Sequence, residues 1–151
     1  MKIWSLILAL LFAVFFSACS KDDPKKMQDG YYTAETASYD EHGWKEFITI
    51  YISDNEIVTL EYNAKNESGF IKSWDMDYMR TMNAADGTYP NKYMREYAEA
   101  LLIRQNPDGV DVITGATHSY HTFYALAEAA IAQAKAGNNR VAFVGPQASG
   151  E

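Results

Sequence analysis

The stretch Glu46–Asn63 reads EFITIYISDNEIVTLEYN, and it decides the fold. Polar and apolar residues alternate over Glu46–Ser53 and again over Glu56–Asn63, and most of the apolar ones are β-branched or aromatic. This alternation is typical of strands with one buried face. The pair Asp54-Asn55 between them consists of residue types that favour a tight turn. The sequence therefore predicts a β-hairpin.

Shorter segments on both sides of the hairpin also have strand character. They are Gly30–Glu35, Val110–Ile113 and Val141–Val144, each rich in β-branched or aromatic residues or in alternation. We predict a strand at each of the three.

Three segments have helical spacing instead. Ser73–Met82 places Trp74, Tyr78 and Met82 four residues apart, with Ser73 and Asp75 as candidate caps. Such an aromatic stripe is more often core than ligand contact. A second helix is expected to begin at Pro90 and to end before Asn106-Pro107.

The third and longest predicted helix is Ser119–Ala136, which has an apolar face and is stopped by Gly137. Strands and helices do not alternate regularly along the chain. We therefore expect an α+β fold: a single small domain with a mainly antiparallel sheet packed by two or three helices.

The N-terminal segment has the pattern of an export signal. Lys2 precedes an almost unbroken apolar run, Ile3–Ala18. The tetrapeptide Phe16-Ser17-Ala18-Cys19 resembles a bacterial lipobox, which implies cleavage before Cys19 and attachment of a lipid to its sulfur. An uncleaved membrane anchor or ordinary secretion is the alternative.

These features predict the organisation of the chain. Residues 1–18 are a lipoprotein signal peptide, 19–29 a lipidated tether, 30–144 one domain, and 145–151 a disordered tail. The lipid would hold the chain at the cell membrane, facing outside the cytoplasm. Cys19 is the only cysteine in the chain, so the domain has no internal disulfide.

The charge of the chain excludes one class of partner. Thirteen lysines and arginines stand against twenty aspartates and glutamates, for a net charge of −7. Binding to nucleic acid requires clustered cations that neutralise phosphates, and the sequence has no such cluster. We expect no nucleic-acid partner.

The segment Asp111-Val-Ile-Thr114-Gly115-Ala116-Thr117 precedes the longest predicted helix directly. Glycine permits a sharp turn with positive φ, and alanine keeps the approach to the backbone open. The first turn of a helix presents unpaired N–H groups and a partial positive charge, which suits a phosphate. The plain alternative is that Thr117 only caps the helix.

The motif resembles the flavinylation signature of the FMN-binding domain family, Asp-x-x-Ser/Thr-Gly-Ala-Thr. That family includes subunits of sodium-pumping quinone reductases, of Rnf-type complexes, and lipoproteins of extracellular electron transfer. DGYYTAE, HGWKEF, YNAKNESGFIKSWDMDYMRTMN and VDVITGATHSYHTF also look like one branch of those lipoproteins, so the resemblance spans Asp29 to about Val144.

The resemblance implies a role for each motif residue. Thr117 would carry FMN through a phosphoester bond, and Thr114, Gly115 and Ala116 would form the turn that presents it. Asp111 would be needed by the flavin transferase that attaches the cofactor. The implied function is a redox electron carrier, rather than a substrate-specific enzyme, that takes electrons from a membrane donor such as a quinone or a flavoprotein dehydrogenase.

Several other residues are candidates for the site. His118 and His121 lie three apart; they could hold a metal, edge the flavin site with His118 near the phosphate or ring, or be plain surface or packing residues. Two further sets are possible ring contacts: the aromatic residues Trp74, Tyr78, Tyr89 and Tyr120, and the polar residues Asn63, Lys65, Ser68 and Lys72. The competing functional hypothesis is a non-catalytic lipoprotein that serves as a binding or scaffold module without covalent flavin.

Overall fold

The computed structural model describes residues 26–145. The predicted signal peptide, the lipidation site Cys19 and most of the predicted tail lie outside that range.

A four-stranded sheet forms one layer of the molecule. Its strands are β1 (Gly30–Thr36), β2 (Lys45–Ser53), β3 (Glu56–Lys65) and β4 (Ala142–Val144), arranged in the order β3-β2-β1-β4. The β1–β2 and β2–β3 pairs are antiparallel, and the short β4 runs parallel to β1. The predicted α+β class with a mainly antiparallel sheet is confirmed.

The predicted hairpin is present, with its turn at the predicted residues. Ser53 pairs with Glu56, and the two residues between them, Asp54 and Asn55, have positive φ values of 54° and 67°. Two successive positive φ values give the turn the twist that antiparallel strands need, and aspartate and asparagine tolerate that conformation.

Three helices pack on one face of the sheet or at its end: α1 (Met76–Asp86), α2 (Pro90–Arg104) and α3 (Thr117–Ala136). The Asp75 carboxylate caps α1 by accepting a hydrogen bond from the N–H of Tyr78 at 2.9 Å. Pro90 occupies the first turn of α2, as predicted. The α3 helix begins two residues before the predicted start and ends at Gly137 as predicted.

The core lies between the sheet and the two longer helices. α3 lies over β1 and β2, and α2 lies over β3. Alternation along β2 sends Ile48, Ile50 and Ile52 inward, where each is fully buried. At the centre the rings of Tyr97 and Phe123 stack at 5.1 Å, which joins α2 to α3.

The predicted strand at Val110–Ile113 is wrong. The segment lies alongside α2 and pairs with no strand. Its N–H groups are bonded elsewhere: that of Val110 donates to the Pro107 carbonyl at 3.0 Å, and that of Ile113 donates to the Tyr97 hydroxyl at 3.1 Å. Tertiary contacts outweigh the strand propensity of a four-residue run.

The stripe predicted to pack in the core does so only in part: Met82 packs against the core and Tyr78 is half-buried, but Trp74 is not. Trp74 is 65% exposed, and no residue of α1 is fully buried. The segment that contains Trp74 is a short 3-10 turn, Lys72–Trp74, which precedes α1 rather than continuing it. The change of direction at Asp75 therefore breaks the helical spacing on which the stripe depended.

The residues just before β1 are held against the domain. The N–H of Gln28 donates to the Ala134 carbonyl near the end of α3 at 3.0 Å, and the N–H of Met27 donates to the Asn55 side chain at 2.8 Å. Over residues 26–145, none of the helices combines the length and the apolar character that a membrane crossing requires.

Candidate functional site

A cavity of about 490 Å³ opens at one end of the core. Its walls come from the adjacent ends of β1 and β2, the loop 38–44, the turn Lys72–Trp74, α1, α2 and the start of α3. Among the residues that line it are Trp44, Glu46, Lys72, Tyr78, Tyr93, Gly115, Ala116 and His118. A volume of this size is within the usual range for small-molecule sites.

The motif forms a tight turn at the rim of this cavity. Gly115 has a φ of 81°, the left-handed region that favours glycine. A Cβ atom at Gly115 would lie 2.5 Å from the Asp86 carbonyl oxygen at the end of α1. The position therefore requires glycine twice, because of the backbone conformation and because of the close approach of α1.

The hydroxyl of Tyr97, on α2, forms two hydrogen bonds with the segment that leads into α3. It donates to the Ala116 carbonyl oxygen at 3.1 Å and accepts from the N–H of Ile113 at 3.1 Å. Ala116 is buried and is the last residue before α3, with no side-chain cap. The segment leading into α3 is thus fixed from α2 and not by the sheet.

The first N–H groups of α3 are open. Within the described part of the chain, the backbone N–H groups of Thr117, His118 and Ser119 have no acceptor, and Tyr120 donates the first helical bond, to Ala116. α3 is 20 residues long, so the partial positive charge of its N-terminus is fully developed. The start of α3 can therefore accept an anionic group.

The motif residues divide between the cavity and the surface. Gly115, Ala116 and His118 line the cavity, and Thr117 lies between two of them with its side chain exposed. Asp111 and Thr114 are exposed and do not line it. The structure thus brings three of the six predicted cofactor-binding residues to the cavity; Thr117, the predicted acceptor, is exposed and is not among the residues that line it.

A buried carboxyl group lies in the cavity wall. Glu46 is 5% exposed, and its Oε2 atom accepts a hydrogen bond from the Tyr62 hydroxyl at 2.6 Å. Burial raises the pKa of Glu46 to about 7; the positive charge of Lys72 and the Tyr62 hydrogen bond act in the opposite direction, and Asp40 adds to the rise.

A buried ammonium group faces the same cavity. Lys72 is 4% exposed, and its Nζ atom lies 5.8 Å from the centre of the Trp44 ring and 5.1 Å from that of Tyr78. It forms no ion pair or hydrogen bond with another side chain described by the structure. Two aromatic faces stabilise the cation without neutralising it, so Lys72 remains available to an anionic ligand.

Only some of the other residues predicted to contact the flavin ring line the cavity. Of the four aromatic candidates Tyr78 lines it, whereas Trp74, Tyr89 and Tyr120 do not; of the four polar candidates only Lys72 does. His121 is exposed and rests edge-on against Tyr120, away from the lining. Residues 26–145 contain no cluster of three or more histidine, cysteine or carboxylate side chains that could hold a metal ion.

Sequence reasoning missed Trp44 and Glu46 as site residues. A signal for Glu46 was present, because strand alternation puts it in the same inward row as Ile48, Ile50 and Ile52. A carboxylate that is buried among apolar side chains requires a hydrogen-bonding or charged partner.

Comparison with known proteins gives two close matches. Over 129 residues, which are 85% of this chain and 89% of the relative, the sequence is 40% identical to the 15 kDa lipoprotein of Treponema pallidum (strain Nichols). The crystal structure of the CPE2226 protein from Clostridium perfringens matches with a TM-score of 0.77 and 38% identity, over 80% of this chain and 99% of that one. No protein-family model matches the sequence.

Proposed function

The chain belongs to the family of the Treponema pallidum 15 kDa lipoprotein, and we propose that it is a lipoprotein anchored through Cys19 that carries electrons on FMN bonded covalently to Thr117. Its site faces outside the cytoplasm. Its electrons come from a membrane donor of the quinone or flavoprotein class.

One observation carries this proposal: an exposed threonine at the start of α3 is flanked in sequence by two residues that line a cavity, and that cavity is partly aromatic and contains a buried cation. Thr117 has Ala116 on one side and His118 on the other, and both line the cavity. A phosphate on the Thr117 oxygen would lie by the open N–H groups of α3, and the rest of the molecule would have the cavity to enter.

The lining residues suit a flat ring system with a polar edge. Trp44 and Tyr78 offer aromatic surface, with their rings in an edge contact at 6.4 Å. Lys72 would offer a positive charge to a ring that gains negative charge on reduction. FMN supplies the electron chemistry when bound, and the protein sets its position and potential.

The exposure of the motif suits enzymatic attachment. A flavin transferase has to reach the acceptor before the bond forms, and Thr117, Thr114 and Asp111 are all exposed. Asp111 has the wrong charge to hold a phosphate. This supports a role for Asp111 in the transfer reaction and not in retention of the cofactor.

The test is the mass of the full chain produced together with a flavin transferase of the flavinylating family. The wild-type chain should gain the mass of one FMN less one water and fluoresce in a denaturing gel. Thr117→Ala should lose both signals, whereas Thr114→Ser, which the motif permits, should keep them. Asp111→Asn should lose the modification with no change in Tm.

Two outcomes would contradict the proposal. Flavin that survives in Thr117→Ala would place the bond elsewhere. A wild-type chain that gains no mass would favour the binding or scaffold module without covalent flavin.

A further inference from the structure

Glu46 occupies a position where an ionised carboxylate is costly. It lies in the inward row of β2 with Ile48, Ile50 and Ile52, at the point where that row reaches the cavity. Removing a carboxylate from water without full compensation costs several kcal/mol, so such a group either finds partners or takes up a proton.

The hydrogen bonds of Tyr62 indicate which of these applies. Its hydroxyl oxygen lies 2.6 Å from Oε2 of Glu46 and 3.1 Å from the carbonyl oxygen of Ser119. A hydroxyl has one proton to donate, yet both neighbours are acceptors when Glu46 is ionised. When Glu46 is protonated, it donates to Tyr62 and Tyr62 donates to Ser119. The chain of three groups is therefore complete only with a proton on Glu46.

The charges around Glu46 oppose one another. Lys72, from the turn before α1, favours the carboxylate, and Asp40, from the loop before β2, favours the acid. From α1 and α2 the carboxyl faces the phenols of Tyr78 and Tyr93, whose pKa values are raised mainly by burial, so both are neutral near pH 7. His118 lines the same cavity from α3. This balance leaves Glu46 able to exchange its proton near neutral pH.

We infer that Glu46 supplies and takes back the proton that accompanies electron transfer to the ligand in this cavity. The inference rests on the proposed function. The membrane donor, a quinol or a reduced flavoprotein, would provide two electrons and release its own protons to solvent; the carboxyl O–H bond of Glu46 would break, and its proton would go to a ring nitrogen of FMN.

Tyr62 and Lys72 can stabilise the negative charges that proton and electron transfer produce. The new carboxylate accepts a hydrogen bond from the Tyr62 hydroxyl, which turns from the Ser119 carbonyl to donate it. The positive charge of Lys72 favours this carboxylate and would also favour negative charge on a ring in the cavity. A solvent proton then enters through the open side of the cavity and restores the Glu46 acid. On oxidation the acceptor takes the two electrons and the ring nitrogen loses its proton to the carboxylate, or to solvent if Glu46 is already protonated.

The test is the midpoint potential of the flavinylated full chain as a function of pH, from about pH 4 to about pH 9, a range that brackets the ordinary and raised pKa of a carboxyl group. The wild-type slope should change near pH 7, where Glu46 loses its proton. Glu46→Gln should remove this break, and Lys72→Met should move it to higher pH because the cation favouring the carboxylate is gone. Lys135→Met removes an equal charge at the far end of α3 and should leave the curve unchanged.

A second measurement needs no flavin. The infrared carbonyl band of a buried carboxylic acid should be present in the unmodified wild-type chain at pH 6 and absent from Glu46→Gln. A wild-type chain that acquires no flavin would overturn the proposed function and this inference together. A flavinylated chain with the same break in Glu46→Gln, or with no acid band at pH 6, would overturn the inference alone.

Discussion

Gly115 lies so close to Asp86 that a single added carbon at Gly115 would sit 2.5 Å from the Asp86 carbonyl oxygen. The end of α1 is thereby packed directly on the turn that leads into α3. The placement of Thr117 relative to the cavity depends on this contact, because α1 forms one wall of the cavity and the turn forms its rim.

Gly115→Ala should therefore destabilise the domain by roughly 2–5 kcal/mol. About 1–2 kcal/mol comes from the left-handed backbone and the remainder from the overlap with Asp86. Gly69→Ala is the matched control, because Gly69 has a φ of 83° but nothing within 4 Å of the added carbon. Urea unfolding of both variants separates the two terms; equal losses would show that the contact with α1 contributes nothing.

Tyr97→Phe should loosen the turn without emptying the core. The ring and its stacking on Phe123 remain, but the hydroxyl that bonds Ile113 and Ala116 is lost. We expect a loss of about 1–2 kcal/mol in the free energy of unfolding and faster amide hydrogen exchange at Ile113. Unchanged exchange at that amide would mean that the loop is held by other contacts.

Gln105 fastens the end of α2 to the edge of β3. Its side chain accepts from the N–H of Ile57 at 2.7 Å and donates to the Ile57 carbonyl at 2.9 Å, while its backbone is left-handed with a φ of 59°. Gln105→Ala should cost about 1–3 kcal/mol, from the two lost hydrogen bonds to Ile57, because the backbone strain is the same in both chains. Gln105→Gly should cost about 1–2 kcal/mol less because glycine tolerates that φ. Thermal unfolding of the pair checks the ranking, and the reverse order would contradict it.

Glu46 should make the stability of the domain depend on pH. Its pKa is about 7 in the folded chain, against an ordinary value of 4.5, so the folded state holds a proton that the unfolded state has already lost. The stabilisation is complete below about pH 4.5 and is lost as the pH rises through about 7, a change of roughly 3 kcal/mol. Unfolding of wild type and Glu46→Gln at pH 5, 6, 7 and 8 should show a flatter dependence in the variant; parallel curves would exclude Glu46 as the source.

Local patterns were sufficient for the elements whose signals agree. The hairpin combines alternation in both strands with a turn pair that tolerates positive φ, and α3 combines an apolar face with a stop at Gly137. Where the pattern was short or its spacing crossed a break, prediction failed. Val110–Ile113 has strand composition but bonds to α2, and Asp75 separates Trp74 from the helix to which its spacing assigned it.

The candidate site shows the same division. The motif is local, so the sequence located the turn and the start of α3. The cavity walls come from segments far apart in the chain, and only folding brings Glu46, Lys72 and Ala116 together. The sequence could not distinguish Lys72 from the other polar candidates. Its burial against Trp44 and Tyr78 depends on tertiary packing, which the local sequence does not reveal.

The hydrogen bond between Gln28 and Ala134 has a consequence for a chain anchored at Cys19. It fixes the departure of the N-terminal segment at the C-terminal end of α3, whereas the cavity opens at the opposite end of that helix. Twenty helical residues measure about 30 Å. In a chain anchored at Cys19, α3 would therefore act as a rigid spacer between the end of the domain nearest the lipid and the cavity, and a group attached at Thr117 would lie at the end of α3 away from the anchor.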